Sequence, residues 1–446
     1  MAHYDLILEN GTALVFNEVT QTIEQKNINI GITAGKICSL SISSSDTALE
    51  KTNLVGLHIL PGIIDSQVHF REPGMTHKED LESGTRAALL GGVTTVFEMP
   101  NTIPSTTTKE NFLDKLHRAE KRAHCHYAFF IGGSPENTSE LAVLEKLDHC
   151  SGVKIFLGSS FGNLLIDEDS VFEKILQSGS RRVIIHSEDE QRLKIRKQIA
   201  IESGHPRSHP LWRDEETALI STQKSIRLAR QYNRPVHILH VSSSEEMEFL
   251  SLNKDIATVE ILPQYLTLSA PDCYEEFGTL AQQNPPIRDQ RHLDFLWKAV
   301  NNGTVDIIGS DHAPHTLDEK SKPYPASPSG MPGVQTLLPI MLNHVSNKKL
   351  SIEKLVMLLT ENPRRIFNLK NKGRIGLGYD ADFTIVDLNK KMEIKKSWLA
   401  SKSNWSIFEG TTVTGWPVAA YLNGILSMKD EKIINPHSGK AVWFTT

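Results

Sequence analysis

Between residues 59 and 312, short apolar runs alternate eight times with stretches of helical spacing, and few folds accommodate that pattern. The runs lie at 59–69, 94–100, 124–133, 152–158, 181–188, 235–242, 257–267 and 305–312. Runs such as Val183-Ile184-Ile185 are apolar on both faces, as in a parallel strand covered on both sides. The first helical stretch opens at Thr76-His77-Lys78-Glu79, which reads as a capping box, and stops at Gly91-Gly92. Eight strand–helix units in succession predict an α/β fold, a (β/α)8 barrel with its chemistry at the C-terminal strand ends. The Pro-, Ser- and His-rich stretches 204–213 and 316–333 read as functional loops on that face.

Shorter strands flank the barrel. Residues 4–8 and 27–32 alternate in hydropathy, with a turn at Asn10-Gly11. Gly31 to Lys36 is too short for a phosphate loop and has no Ser or Thr after the lysine, so it reads as a hairpin. Beyond residue 374, segments 381–387 and 417–422 again read as strands, the second followed by an Asn423-Gly424 turn. The two chain ends are expected to pack as one small β-sandwich domain, from residues 1–56 and 375–446, with the barrel at 57–374.

Composition removes several function classes. At 446 residues and 39% apolar content the chain can bury a large core. A formal charge of −5 without a basic stripe argues against nucleic acid. No apolar run reaches membrane-spanning length, and the N-terminal residues lack the basic and apolar regions of a secretory signal. Cys38, Cys125, Cys150 and Cys273 form no CxxC pair, so neither a disulfide frame nor a thiolate zinc site is indicated. A soluble, cytoplasmic protein acting on a small molecule is the expectation.

The polar residues at the strand ends carry the chemistry. Alternation sends Asp65, Gln67 and His69 to one face of the first strand. Such a face needs a hydrogen-bond network or a metal ion, because an unpaired buried polar group costs about 1–3 kcal/mol. Asn101 follows the second strand, Lys154 lies in the fourth, and His186 and His240 end the fifth and sixth. Asp311, His312 and His315 end the eighth. Each has a structural reading: a satisfied histidine, a wall lysine, a helix-capping Asp. Their convergence on one barrel mouth favours a shared metal centre. Imidazole and carboxylate suit zinc and similar ions. A buried lysine loses its charge readily, and the free amine can take up carbon dioxide to form a bridging carbamate. Metal-bound water then serves as the nucleophile, and an adjacent Asp shuttles its proton.

Pro61-Gly62-Ile63-Ile64-Asp65, Phe70-Arg71-Glu72-Pro73-Gly74, Met99-Pro100-Asn101-Thr102, Val153-Lys154-Ile155-Phe156, His186, His240, Asn284-Pro285-Pro286-Ile287-Arg288 and Gly309-Ser310-Asp311-His312-Ala313-Pro314-His315 occur in that order. Taken jointly, they make the chain resemble the dihydroorotase family of the amidohydrolase superfamily over nearly its whole length. The resemblance implies a distorted barrel with a small β domain, and interconversion of dihydroorotate and N-carbamoyl-L-aspartate in pyrimidine synthesis. It implies His69 as ligand of a first zinc ion, carbamylated Lys154 as bridge, and His186 and His240 as ligands of a second. Asp311 would be ligand and general base. Arg71, Asn101 and His315 match positions that hold the substrate carboxylate, and Asn284 and Gly333 match positions beside the ring. It also implies a homodimer, with aspartate transcarbamoylase as a partner.

Gln67 departs from the His-x-His of the superfamily. Its amide oxygen is a weaker zinc ligand than imidazole, so one or two ions are compatible with the sequence. Two alternatives share the scaffold: a hydantoinase or allantoinase, and a non-catalytic scaffold subunit for aspartate transcarbamoylase. Arg71, Asn101 and His315 disfavour the first, since a plain hydantoin carries no carboxylate. Lys154, His186, His240 and Asp311 disfavour the second.

Overall fold

The computed structural model describes residues 2–160, 162 and 164–445. Its centre is a parallel sheet of eight strands in sequence order: β1 (Ile63–Val68), β2 (Val93–Glu98), β3 (His126–Gly132), β4 (Cys150–Phe156), β5 (Val183–His186), β6 (Val236–Ile238), β7 (Ala257–Ile261) and β8 (Ile307–Ile308). A parallel bridge between Val68 and His312, with the His69 amide donating to the His312 carbonyl at 2.7 Å, joins the first and last strands. Every residue of all eight strands is buried. Helices cover the outside and side chains fill the inside, which explains the unbroken apolar runs of the sequence.

The chain ends build a sandwich against this barrel. One sheet orders Lys36–Ser39, Ile30–Thr33, His3–Glu9 and Thr47–Asn53. The other has seven strands and joins both ends: Phe383 to Val386 pairs antiparallel with Pro61 to His58. Leu6, Leu8, Ile32, Ile59, Phe383 and Ile385 share the core between the sheets. The predicted hairpin at 31–36 is present, with Ala34 and Gly35 at φ 50° and 74°. Beyond the sheets, the C-terminal tail crosses to the barrel: the Val442 amide donates to the Tyr127 carbonyl at 3.0 Å, and Phe444 packs edge-on to Phe97.

Four sequence expectations shift. The run 59–69 is two strands: His58–Pro61 belongs to the sandwich and β1 to the barrel. The chain changes sheets at Gly62, where an added Cβ would lie 2.4 Å from Thr94 Oγ1 and 2.9 Å from Asp382 Cβ. Run 257–267 is a strand only to Ile261; Pro263 then opens the helix Pro263–Thr267, the helix position where its missing N–H costs nothing. Run 27–32 breaks at Ile28-Asn29, so Thr22–Asn27 and Ile30–Thr33 lie in different sheets. Finally, the first barrel helix starts later than Thr76 implied. It spans Leu81–Leu90, capped reciprocally by Asp80 and Ser83. Glu79 is buried instead, and accepts from Ser401 and the Lys402 amide.

Candidate active site

The strand ends deliver their polar residues to one place. Gln67, His69, Arg71, Asn101, Lys154, His186, His240, Asn284 and Asp311 line a single narrow cavity, together with Ser329 and Gly330 of the long loop. Arg71, His240 and Asp311 all have positive φ, at 64°, 39° and 46°. Such backbone is uncommon outside glycine and is typically retained where a side chain must be aimed. Two residues of the predicted set are set back. His315 is fully buried behind Arg71 and Ser329. The Gly333 amide is taken up by Nδ1 of His312, at 3.1 Å.

Two polar groups face each other across the cavity. On one side, Oδ1 of Asp311 accepts from the Gln67 amide at 3.0 Å and lies 3.2 Å from Nε2 of His69. The other ring nitrogen of His69 is 2.7 Å from Asn101 Oδ1. Burial depresses the His69 pKa, partly offset by Asp311, and the single N–H of a neutral ring can serve only one of these two oxygens. On the other side, Nδ1 of His186 and Nε2 of His240 are 3.0 Å apart. Glu188 accepts from Nε2 of His186 at 2.9 Å, which leaves Nδ1 unprotonated and facing Nε2 of His240. Arg213 grips Glu188 at 3.0 and 2.5 Å. Burial alone would raise the Glu188 pKa, but Arg213 and His186 hold it down at about 2.

Lys154 lines the same cavity. It is fully buried, and Nζ has no hydrogen-bond partner among the described residues. Burial brings its pKa down to about 7, against the pull of Asp311 and Glu260. Nδ1 of His240 and Oε1 of Gln67 are likewise buried without a hydrogen-bond partner among the described residues. Such orphans are costly unless something else occupies them. Among the described residues no three His, Cys, Asp or Glu side chains form a metal-binding group by themselves. Lys154, the paired histidines and the free amide oxygen of Gln67 together offer donors that a divalent cation accepts, and the Glu188–His186 contact is the outer-shell support that a metal-binding imidazole requires.

Sequence reading missed Glu188 and Arg213. His186-x-Glu188 is a same-face spacing at a strand end and could have signalled the pair; Arg213 comes from a distant loop and could not. It also missed Glu260, a second buried acid beside Asp65. Asp65 accepts from the backbone of Ser310 and Gln67 at 3.1 and 3.2 Å, and burial pushes its pKa up to about 7. Glu260 is raised well above its usual range by burial and by Asp65.

Known proteins share this arrangement of elements. The amidohydrolase family profile matches residues 58–426. A dihydroorotase of Methanothermobacter thermautotrophicus is 31% identical over 441 residues, 97% of this chain and 96% of its own. The multifunctional protein CAD of Squalus acanthias is 32% identical over 382 residues, 84% of this chain but 15% of that protein. Among solved structures, the L-hydantoinase (dihydropyrimidinase) of Arthrobacter aurescens superposes with a TM-score of 0.92 at 27% identity, covering 99% of this chain and 100% of its own. The chain belongs to the amidohydrolase family and is a homologue of the dihydroorotases.

Proposed function

We propose that this chain is a dihydroorotase, an enzyme that opens and closes the cyclic amide of dihydroorotate, with N-carbamoyl-L-aspartate as the open form. The observation that carries the reading is a buried guanidinium in the same cavity as a carboxylate, a lysine amine and a histidine pair. Burial lowers the Arg71 pKa only to about 10, so Arg71 remains cationic at neutral pH. It is a fitting partner for a ring carboxylate. Homology to the dihydroorotases supports the same substrate.

The residues divide the work. Arg71 and Asn101 hold the carboxylate end, with His315 behind them. Asn284 would face the ring from the cavity wall, with its amide oxygen 3.0 Å from Nε2 of His209. Asp311 takes the proton of the attacking water and returns it to the ring nitrogen as the amide breaks. Lys154, His186 and His240 would hold a divalent cation, zinc in this proposal, with Lys154 as its carbamate. His69 and Gln67 would offer a second, weaker position. A bound cation would polarise the amide carbonyl and ease ionisation of water. Carbamate formation joins the Lys154 nitrogen to carbon dioxide and releases a proton, and the lowered lysine pKa favours the amine that reacts.

The test is to supply zinc-loaded protein with N-carbamoyl-L-aspartate and with a 5-substituted hydantoin. Dihydroorotate should form from the first, and the hydantoin should remain closed. The likeness to an L-hydantoinase favours the rival reading, which opening of the hydantoin ring alone would establish. The assembly we propose is a cytoplasmic homodimer able to associate with aspartate transcarbamoylase, to be checked by sedimentation and co-purification. The match to a segment of a multifunctional protein supports association with another enzyme. Among the described residues no helix is long and apolar enough to cross a membrane.

A further inference from the structure

Lys78 lies outside the residues that line the cavity, yet it is buried and ends at the carboxylate clamp. Its Nζ is 3.1 Å from Nδ1 of His315 and 2.9 Å from Oε1 of Glu319. Glu319 is itself fixed. It closes a capping box with Thr316, whose amide donates to Oε2 at 3.1 Å. On the far side of the imidazole, Nε2 of His315 is 3.1 Å from the Ser329 carbonyl and 3.4 Å from Nη2 of Arg71. That carbonyl is held in turn. Lys320 donates to the flanking carbonyls of Pro328 and Gly330, at 2.9 and 3.1 Å.

These contacts select one form of His315. An ammonium can only donate, so Nδ1 must be the bare nitrogen and Nε2 must carry the hydrogen. Nε2–H then donates to Ser329. The opposite tautomer would set an N–H against the Lys78 ammonium and a lone pair against the Ser329 carbonyl. In exchange it would gain a 3.4 Å contact from Arg71 and a 3.6 Å approach to Glu319, both longer than the contacts it gives up. The doubly protonated ring would place a third cation beside Arg71 and Lys78 in a buried site.

We propose that Lys78, anchored by Glu319, is a positioning residue that locks His315 as a neutral Nε2–H donor beside Arg71. It thereby sets the preference for a carboxylate-bearing ring. Without Lys78 the imidazole can take the other tautomer, which turns a lone pair on the Ser329 carbonyl and loosens the support of Arg71 and of the loop that lines the cavity. The proposal rests on the dihydroorotase reading and adds a residue to it.

The test pairs spectroscopy with kinetics. In zinc-loaded protein labelled with 15N-histidine, His315 is assigned by loss of its signals in His315→Asn. Nδ1 should show the shift of a bare imine nitrogen and Nε2 that of a protonated one. A protonated Nδ1 in the wild type overturns the proposal whether or not any variant folds. In Lys78→Met the two tautomers should exchange. KM for dihydroorotate should rise about ten- to a hundredfold, more than kcat falls, and Lys78→Arg should recover part of the loss. A folded Lys78→Met with wild-type KM, even at lower Tm, would reduce Lys78 to a structural residue and overturn the proposal. Absence of dihydroorotate turnover in the wild type counts against the functional reading alone, since the spectra still decide the hold of Lys78 on His315.

Discussion

The side-chain amide of Gln67 donates to Oδ1 of Asp311 across the seam where β1 meets β8, at 3.0 Å, while its own oxygen has no hydrogen-bond partner among the described residues. The residue that breaks the His-x-His pattern thus braces the proposed general base and keeps one weak donor atom for an ion. Gln67→His would replace that oxygen with an imidazole on the same strand face as His69. The wild type should bind fewer than two equivalents of zinc by elemental analysis, and Gln67→His should move the value toward two. Two equivalents in the wild type would show that Gln67 does not weaken the site.

Asp311→Asn should remove turnover, because an amide cannot accept the proton. The protein should still fold and bind zinc, since Lys154 and the histidine pair are untouched. Activity within a few-fold of wild type would exclude Asp311 from proton transfer.

Arg71→Ala removes a charge-assisted contact worth about 1.5–3 kcal/mol, which is roughly ten- to a hundredfold in KM. Zinc content should stay constant. An unchanged KM for dihydroorotate would make Arg71 a structural residue, held by contacts such as that to the Pro314 carbonyl at 3.2 Å.

Gly84 faces the ring of Phe70, the residue between His69 and Arg71. A Cβ there would stand 2.3 Å from Phe70 Cδ1. Gly84→Ala should cost about 1–3 kcal/mol in urea unfolding, the usual penalty for overpacking. A more stable variant, as helix propensity alone would give, would mean that the ring moves aside freely.

Asp214 caps the helix Glu215–Gln231 and pairs with Arg192 at 2.6 Å. Burial raises its pKa, but Arg192, Thr217 and Arg196 outweigh burial and hold it at about 2, below the ordinary 3.8. A lowered folded-state pKa contributes stability that is present above 3.8 and lost as pH falls toward 2. Because the group is partly solvated, Asp214→Asn should cost only about 1 kcal/mol at pH 7. The gap to wild type should narrow below pH 4. A gap constant with pH would assign the effect to the cap rather than the charge.

The barrel was legible because a strand covered on both faces leaves an apolar run with polar residues at its end. Gln67, His69, Lys154, His186, His240 and Asp311 could therefore be placed at one mouth without coordinates. The break at Gly62 was not legible, since Ile59 to Ile64 is apolar on both sides of the change of sheet. Neither were the Glu188–Arg213 and Lys78–Glu319 pairs. Each depends on a loop brought in from far along the chain, and a charged residue in a loop has no spacing to distinguish a buried partner from a solvated one. Thr76 to Glu79 matched a capping signature, but the burial of Glu79 under Ser401 decided where the helix begins.

The most direct measurement of the central claim is the steady-state conversion of dihydroorotate to N-carbamoyl-L-aspartate by zinc-loaded wild-type protein, followed by loss of ring absorbance. The account predicts saturable turnover that a chelator abolishes and Asp311→Asn lacks. Fully metal-loaded, folded protein that leaves dihydroorotate intact would contradict it.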